Sequence, residues 1–146
     1  MTFIPVNFDD AVEPQAAPAG RYNVQITECK VTKTGPNSKH PDQPQFRVSL
    51  GFPDHPEYQN FSQFISLPNE FDEPNSVNFK ALLIKRFCSL FNIRLDSSGI
   101  DLEQLPMEMV GAVANAEVAL TEPNDNGDVF NQLKVPKLRN EQQNRR

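Results

Sequence analysis

Several short segments of the chain alternate apolar and polar residues, and a period of two is typical of β-strands that bury one face. The stretch "RYNVQITECKVT" begins in this way, and "QFRVSLGF" alternates throughout. "NFSQFISL" alternates less regularly and leaves Phe64 on its polar side between two serines. The first half of the chain therefore predicts three strands, over residues 21–32, 45–52 and 60–67.

The period then changes to that of an α-helix within "NSVNFKALLIKRFCSLFNI". Asn75 or Ser76 is expected to cap this helix, because short polar side chains accept hydrogen bonds from the first turn. Apolar residues recur at spacings of three and four, and we expect the helix to pack through this stripe: Phe79, Leu83, Phe87 and Leu90. A shorter helix is indicated between residues 102 and 109.

Two further strands are predicted near the end of the chain. "VGAVANAEVAL" has small apolar residues at every second position, and "VFNQLKVP" places Leu133 and Val135 on one face. Between them, "EPNDNGD" contains Asn-Gly, a pair favoured in tight hairpin turns. The last two strands are therefore expected to pair with each other.

The order of elements, three strands, one helix and two strands, is that of the OB-fold. This fold is a small five-stranded barrel that binds oligonucleotides or oligosaccharides on its second and third strands and adjoining loops. We therefore predict an all-β domain with one main helix over residues 20–138. An irregular acidic arm (1–19) precedes it and a flexible tail (139–146) follows it.

Composition agrees with a single domain. At 146 residues the chain can bury a core without a metal or a disulfide. It contains no apolar run of membrane-spanning length, and its first residues are acidic rather than basic, so we expect an intracellular protein without a membrane partner. Cys29 and Cys88 are far apart in sequence, and free thiols are expected rather than a disulfide.

The net charge of −5 conceals a strong segregation of charge along the chain. Residues 21–50 sum to +3, residues 76–94 to +4 and residues 129–146 to +4, whereas residues 51–75 sum to −5 and residues 95–128 to −8. Because salt screens charges more than about 8 to 10 Å apart, a basic groove can coexist with an acidic whole.

An OB-fold would bring the first and last basic blocks to one side of the barrel, with aromatic rings among them. Such a groove suits single-stranded nucleic acid, since cations hold phosphates and rings stack on bases. The predicted binding residues are Lys30, Lys33, Lys39, Arg47, Tyr58, Phe64, Phe130, Lys134 and Lys137. Arg47 and Phe64 are equally compatible with an ordinary strand surface. For the helix cations Lys80, Lys85, Arg86 and Arg94 we favour a solvated face over a ligand site.

A resemblance points the same way. "NFDDAVEP", "PAGRYNVQI", "YQNFSQFISL", "LPMEMVGAVANAEVAL" and "GDVFNQLKVPKL" follow one another in an order that resembles small OB-fold single-stranded-DNA-binding proteins of phage replication and recombination modules. The resemblance implies that Pro18, Gly20 and Tyr22 open the first strand. It also implies that Gly111 precedes the fourth strand and that Asn131 and Lys134 mark the fifth.

Residues typical of enzymes are sparse. His40 and His55, the only histidines, lie in Pro-flanked segments without a spacing that pairs them with a cysteine as a nucleophile or zinc site. No phosphate-binding Gly-rich motif occurs. One carboxylate cluster is a candidate for a divalent ion in phosphodiester hydrolysis, although we favour a solvated acidic loop: Glu70, Asp72 and Glu73. We expect no catalytic residue, metal or cofactor.

Two classes of function follow. The favoured one is a non-enzymatic protein that coats and protects single-stranded DNA. The alternative is a protein-interaction module, a replication accessory or an inhibitor of a host enzyme, that works through its acidic faces. The resemblance implies replication or recombination proteins as further partners and the cytoplasm of an infected bacterium as the location. Monomer and homodimer are both compatible with the sequence.

Overall fold

The structure, a computed structural model, describes residues 2–37 and 41–138. Its strands and helices follow the predicted order, and the predicted tail at 139–146 lies outside the described residues. In chain order the elements are β1 (Gly20–Lys33), β2 (Pro44–Gly51), β3 (Phe61–Ser66), α1 (Pro74–Leu90), α2 (Gln104–Met109), β4 (Val113–Leu120) and β5 (Asn131–Lys134).

The five strands form one antiparallel sheet in the order β3-β2-β1-β4-β5. The edge strands β3 and β5 also approach each other, so the sheet is a nearly closed barrel with its main helix between β3 and β4. This confirms the predicted OB-like fold. β1 pairs with β4 through its first half and with β2 through its second half. An irregularity between Ile26 and Glu28 separates the halves, and such a bulge bends a strand around a barrel.

The predicted alternation decides which side chains fill the barrel. On β2, Phe46, Val48 and Leu50 are fully buried, and the residues between them face outward. The same period governs the other strands, whose buried apolar residues are Val24, Ile26, Phe61, Ile65, Ala114, Ala116, Val118 and Leu133. Since fully burying one such large apolar side chain stabilises a fold by about 1.5 to 3 kcal/mol, this interior supplies the main stabilisation of the barrel.

Helix α1 buries a different face from the predicted one. Phe87 is buried as expected and Leu90 is partly buried, but Phe79 is 58% exposed and Leu83 is 36% exposed. The buried positions are instead Ile84, Phe87 and Cys88, with Phe91 just beyond the helix. The two apolar stripes are adjacent on the helix surface, and packing on the barrel selects the one that carries Ile84.

The start of α1 also differs from the prediction. The helix begins at Pro74, and Glu73 stands at the N-cap without a side-chain hydrogen bond, so the capping role predicted for Asn75 or Ser76 is wrong. Proline is favoured at the first helical position because its fixed φ suits a helix and its missing N–H has no partner there. Within the described residues, no helix combines the length and apolar character that a membrane crossing requires.

The N-terminal arm joins the barrel through its last residues. Gln15 pairs with the loop between β2 and β3, where its N–H donates to the Glu57 carbonyl and its carbonyl accepts from the Gln59 N–H. Ala17 is fully buried, and the Asn131 side chain accepts a hydrogen bond from its N–H and donates one to its carbonyl, both at 2.9 Å. We call this side of the barrel the arm end.

Both cysteines are free thiols in the structure. Cys88 is buried on the inner face of α1, and Cys29 is half-buried on β1. Burial raises the pKa of each thiol to about 11, so both are protonated at neutral pH.

Asp72 is expected to stabilise the protein in a pH-dependent way. Lys80 on α1 donates to both of its carboxylate oxygens, at 2.9 and 3.0 Å, and the Asn69 N–H donates to it as well. These contacts, the Lys80 hydrogen bond first, lower the pKa of the Asp72 carboxyl. A lowered folded-state pKa means that the stabilisation is present above the ordinary value of about 4 and is lost as the pH falls through the folded value.

We therefore expect Asp72→Asn to lower the urea midpoint at pH 7 and to have a smaller effect at pH 3. Chemical unfolding at both pH values measures the difference. Asp125→Asn, which removes an exposed carboxylate from the loop before β5, is the matched control and should leave both midpoints unchanged. An equal loss for Asp72→Asn at pH 7 and pH 3 would contradict the assignment.

Candidate nucleic-acid interface

Three of the predicted binding residues lie side by side on the outer face of the sheet. In the strand register, Arg47 on β2 is the direct partner of Lys30 on β1 and of Phe64 on β3. Direct partners on neighbouring antiparallel strands project to the same side, with Cβ atoms about 4.5 to 5.5 Å apart. Lys30, Arg47 and Phe64 therefore form a continuous line across three strands, which we call the Arg47 row.

The rows on either side of it are polar. One contains Thr32, Gln45 and Ser66, and the other contains Glu28, Ser49 and Ser62. These residues alternate with the buried ones, and so they share the outer face with the Arg47 row. Strands β2 and β3 contain no carboxylate at all. The outer face of the first three strands is thus a polar surface with one aromatic ring and a local positive charge.

The cations of the Arg47 row are accessible. Lys30 contacts the Glu28 carboxylate at 3.6 Å, and both side chains are about half exposed or more. An exposed ion pair of this kind contributes only about 0 to 1 kcal/mol, so an incoming phosphate can replace Glu28. Arg47 is exposed and forms no ion pair or side-chain hydrogen bond with another residue in the described part of the chain. Its guanidinium is available for a ligand.

Phe64 is the aromatic residue of this surface. Its side chain is 56% exposed, and its neighbours along β3 on the same face are Ser62 and Ser66. An exposed ring beside a cation can stack on a nucleobase whose phosphate the cation holds. The pattern of "NFSQFISL" predicted this outward position, and the structure confirms it.

Lys134 lies on the other side of β3 from Arg47. It faces outward near the end of β5, which approaches β3 where the barrel closes. Its ammonium group contacts the Glu117 carboxylate at 3.3 Å, and both side chains are more than half exposed. Lys134 also lines a small pocket with Arg21, Asn115 and Leu90 of α1.

The remaining predicted lysines lie beyond the strands or at their ends. Lys33 is the last residue of β1 and is exposed. The described part of the loop that follows is closed by Thr34, whose N–H donates to the Gln43 carbonyl at 2.9 Å. Lys39 lies outside the described residues. Lys137 is exposed after β5 and is not part of the sheet.

Tyr58 and Phe130 are at the arm end of the barrel, away from the Arg47 row. Tyr58 is half-buried, with its ring stacked on His55 at 5.1 Å and in edge contact with Tyr22 and Phe52. Phe130 is 48% exposed and directly precedes Asn131, which holds the arm. The predicted aromatic platforms therefore do not lie on one surface. Phe64 lies beside Lys30 and Arg47, whereas Tyr58 and Phe130 lie at the arm end.

Arg21 is a further basic residue on the outer face, and the sequence pattern did not predict it as a binding residue. It is the β1 partner of Glu117, which is in turn the β4 partner of Lys134. Its guanidinium donates to the Asn115 side chain at 3.2 Å. The alternation of "RYNVQI" indicated that Arg21 faces outward, but its place beside Lys134 depends on strand pairings that the sequence does not specify.

The carboxylate cluster considered for a metal ion has another role. Asp72 is bound by Lys80 and Asn69, and Glu73 occupies the N-cap position of α1 without a side-chain hydrogen bond. Across residues 2–37 and 41–138, no three His, Cys, Asp or Glu side chains converge in a way that could hold a metal ion.

Comparison of the chain with protein-family models and with curated protein sequences gave no match. The similarity to phage single-stranded-DNA-binding proteins therefore stays a prediction.

Proposed function

We propose that this protein binds single-stranded DNA on the outer face of β1, β2 and β3, without catalysing a reaction. The observation that supports this most directly is the Arg47 row, in which two accessible cations and one exposed ring are direct cross-strand partners. Phosphate contacts supply affinity, and stacking on Phe64 selects unpaired bases, because bases inside a duplex do not expose their faces.

The proposed binding is tolerant of sequence. Cations that contact phosphates and a ring that stacks on a base do not read base edges, which carry the sequence information. A sequence-tolerant binder suits the coating and protection of DNA intermediates. With the predicted resemblance, this supports a role in phage DNA replication or recombination, in the cytoplasm of the infected bacterium.

A second candidate function, as a protein-interaction module, is favoured by the distribution of the acidic residues. The exposed carboxylates cluster on the arm and on loops, for example Asp9, Asp10 and Glu13 on the arm and Glu122, Asp125 and Asp128 before β5. A partner such as a replication protein or a host enzyme would bind these surfaces and leave the Arg47 row free.

Salt dependence of DNA binding separates the two candidates. We expect a fluorescence titration with oligo-dT to show preference for the single strand over a duplex of equal length. The logarithm of affinity should fall with the logarithm of salt at about −0.7 per phosphate, or about −2 for contacts with Lys30, Arg47 and Lys134.

Lys85→Ala, which removes an exposed cation from α1, is the control and should change neither the affinity nor the slope. No binding at low salt would favour the protein-interaction module. A preference for duplex DNA would exclude stacking on Phe64 as the basis of binding.

A further inference from the structure

The N-terminal arm exposes an unusual amount of apolar surface. Phe3 is 86% exposed, Phe8 81% and Val12 82%, and Ile4 and Val6 are also exposed. Single exposed apolar residues are common on proteins, but a contiguous group within ten residues is typical of a segment that contacts a partner. Within residues 2–19, the contacts of the arm with the barrel begin at Gln15, as the Gln15 and Ala17 hydrogen bonds show.

Part of this arm is already ordered for contact. Phe8–Asp10 is a short 3-10 turn, in which the Asn7 side chain accepts a hydrogen bond from the Asp9 N–H and donates one to the Asp10 carboxylate. The turn presents the Phe8 ring beside two carboxylates. Because it is formed before contact, little conformational entropy is lost there on binding.

A large groove lies on the opposite side of the domain from the root of the arm. It has a volume of about 1110 Å³ and runs between α1, the ends of β2 and β3 nearest Lys33, and the segment that connects α1 to α2. Its apolar lining includes Leu67, Ile84, Ile93 and Leu102. This volume exceeds the roughly 300 to 1,000 Å³ typical of small-ligand sites and is sufficient for a peptide segment.

The charges of the groove complement those of the arm. Lys85 and Arg94 line the groove, are exposed and form no ion pair with another residue in the described ranges. The acidic residue of the lining, Asp96, is engaged by Ser98, whose N–H and hydroxyl donate to the carboxylate at 2.8 and 2.7 Å. The arm has three carboxylates and no basic residue in its first twenty positions. Since Asp96 stays ionised, Lys85 and Arg94 (+2) and Asp96 (−1) give the lining a net charge of +1, opposite in sign to the −3 of the arm. The acidic apolar arm therefore fits the side of the groove that carries Lys85 and Arg94.

We propose that the arm of one copy of this protein docks in the α1 groove of a second copy, with Phe8 in the apolar lining and its carboxylates beside Lys85 and Arg94. The arm is exposed in its own chain, so it does not fill its own groove. Reciprocal docking of two arms gives a closed two-fold dimer. This inference is independent of DNA binding, since neither the arm nor the groove includes the Arg47 row.

Charge reversal on the two partners tests the proposal with the full-length protein and without DNA. The arm variant is D9K/E13K, which leaves the Asn7–Asp10 hydrogen bond intact, and the groove variant is K85E/R94E. Sedimentation equilibrium should give the wild type a mass approaching twice the 16.5 kDa of one chain as its concentration rises. Each variant alone should dimerise at least about tenfold more weakly, because its own arm and groove now have like charges.

An equimolar mixture of the two variants should dimerise again, since each arm then meets a groove of opposite charge. All four substitutions are at exposed positions, and circular dichroism before sedimentation confirms that both variants are folded. The proposal is wrong if the wild type stays monomeric at every concentration. An arm that docks in the groove of its own chain would give that result. Variants that dimerise like the wild type, or a mixture that stays monomeric, would equally overturn it.

Discussion

Phe64→Ala is expected to weaken binding of oligo-dT by about 5- to 150-fold, which corresponds to the 1 to 3 kcal/mol typical of one stacked base. The slope of log affinity against log salt should stay nearly unchanged, because the ring contacts no phosphate. Phe79→Ala is a matched control, since Phe79 on α1 is 58% exposed and Phe64 is 56% exposed. It should leave the affinity at the wild-type value in the same fluorescence titration.

Arg47→Ala removes a cation from the same row. It should change the salt slope, which Phe64→Ala leaves nearly unchanged. It should weaken binding to all sequences alike and flatten the salt slope by about 0.7, because one phosphate contact and its released counterion are lost. Lys134→Ala should behave in the same way. If Phe79→Ala or Lys85→Ala weakens binding more than Phe64→Ala and Arg47→Ala, the DNA contacts α1 and not the sheet.

Asn131→Ala is expected to destabilise the protein by about 2 to 6 kcal/mol, because it leaves the N–H and carbonyl of the buried Ala17 without partners and each such group costs about 1 to 3 kcal/mol. The Asn131 side chain is 3% exposed and also donates to the Ala119 carbonyl at 3.3 Å. It therefore connects the arm to the β4–β5 hairpin. Urea unfolding followed by circular dichroism measures the loss.

The neighbouring Gln132→Ala is the matched control, since Gln132 is exposed on the same strand and should change stability by less than about 0.5 kcal/mol. Limited proteolysis gives a second readout. A nonspecific protease should remove the arm from the Asn131→Ala variant faster than from the wild type. Equal stability and equal protection of the arm would show that Asn131 does not hold it.

The barrel could be predicted because its signals are local. A period of two predicts which residues of a strand face the same side, and this was sufficient to place Arg47 and Phe64 outward. The element order then selected the OB-like topology. Neither step requires knowledge of which residues pair across strands, and so both predictions could be made from the sequence alone.

The parts that the sequence left undetermined depend on contacts between distant segments. Asn131 and Ala17 are 114 positions apart, and no local pattern indicates their hydrogen bonds. Tyr58 was predicted as a platform from its residue type, but its ring packs into the aromatic cluster with His55. On α1, two adjacent stripes satisfied the helical period, and only packing against the barrel buried Ile84 and left Phe79 exposed.

The most direct test of DNA binding on the sheet is a nuclear magnetic resonance titration of the ¹⁵N-labelled protein with a short dT oligomer. The proposed interface predicts that the backbone amide signals of Lys30, Arg47 and Phe64 shift progressively and saturate together, while those of α1 change little. Signals of the Arg47 row that stay unchanged while α1 or the arm shifts would contradict the proposed interface.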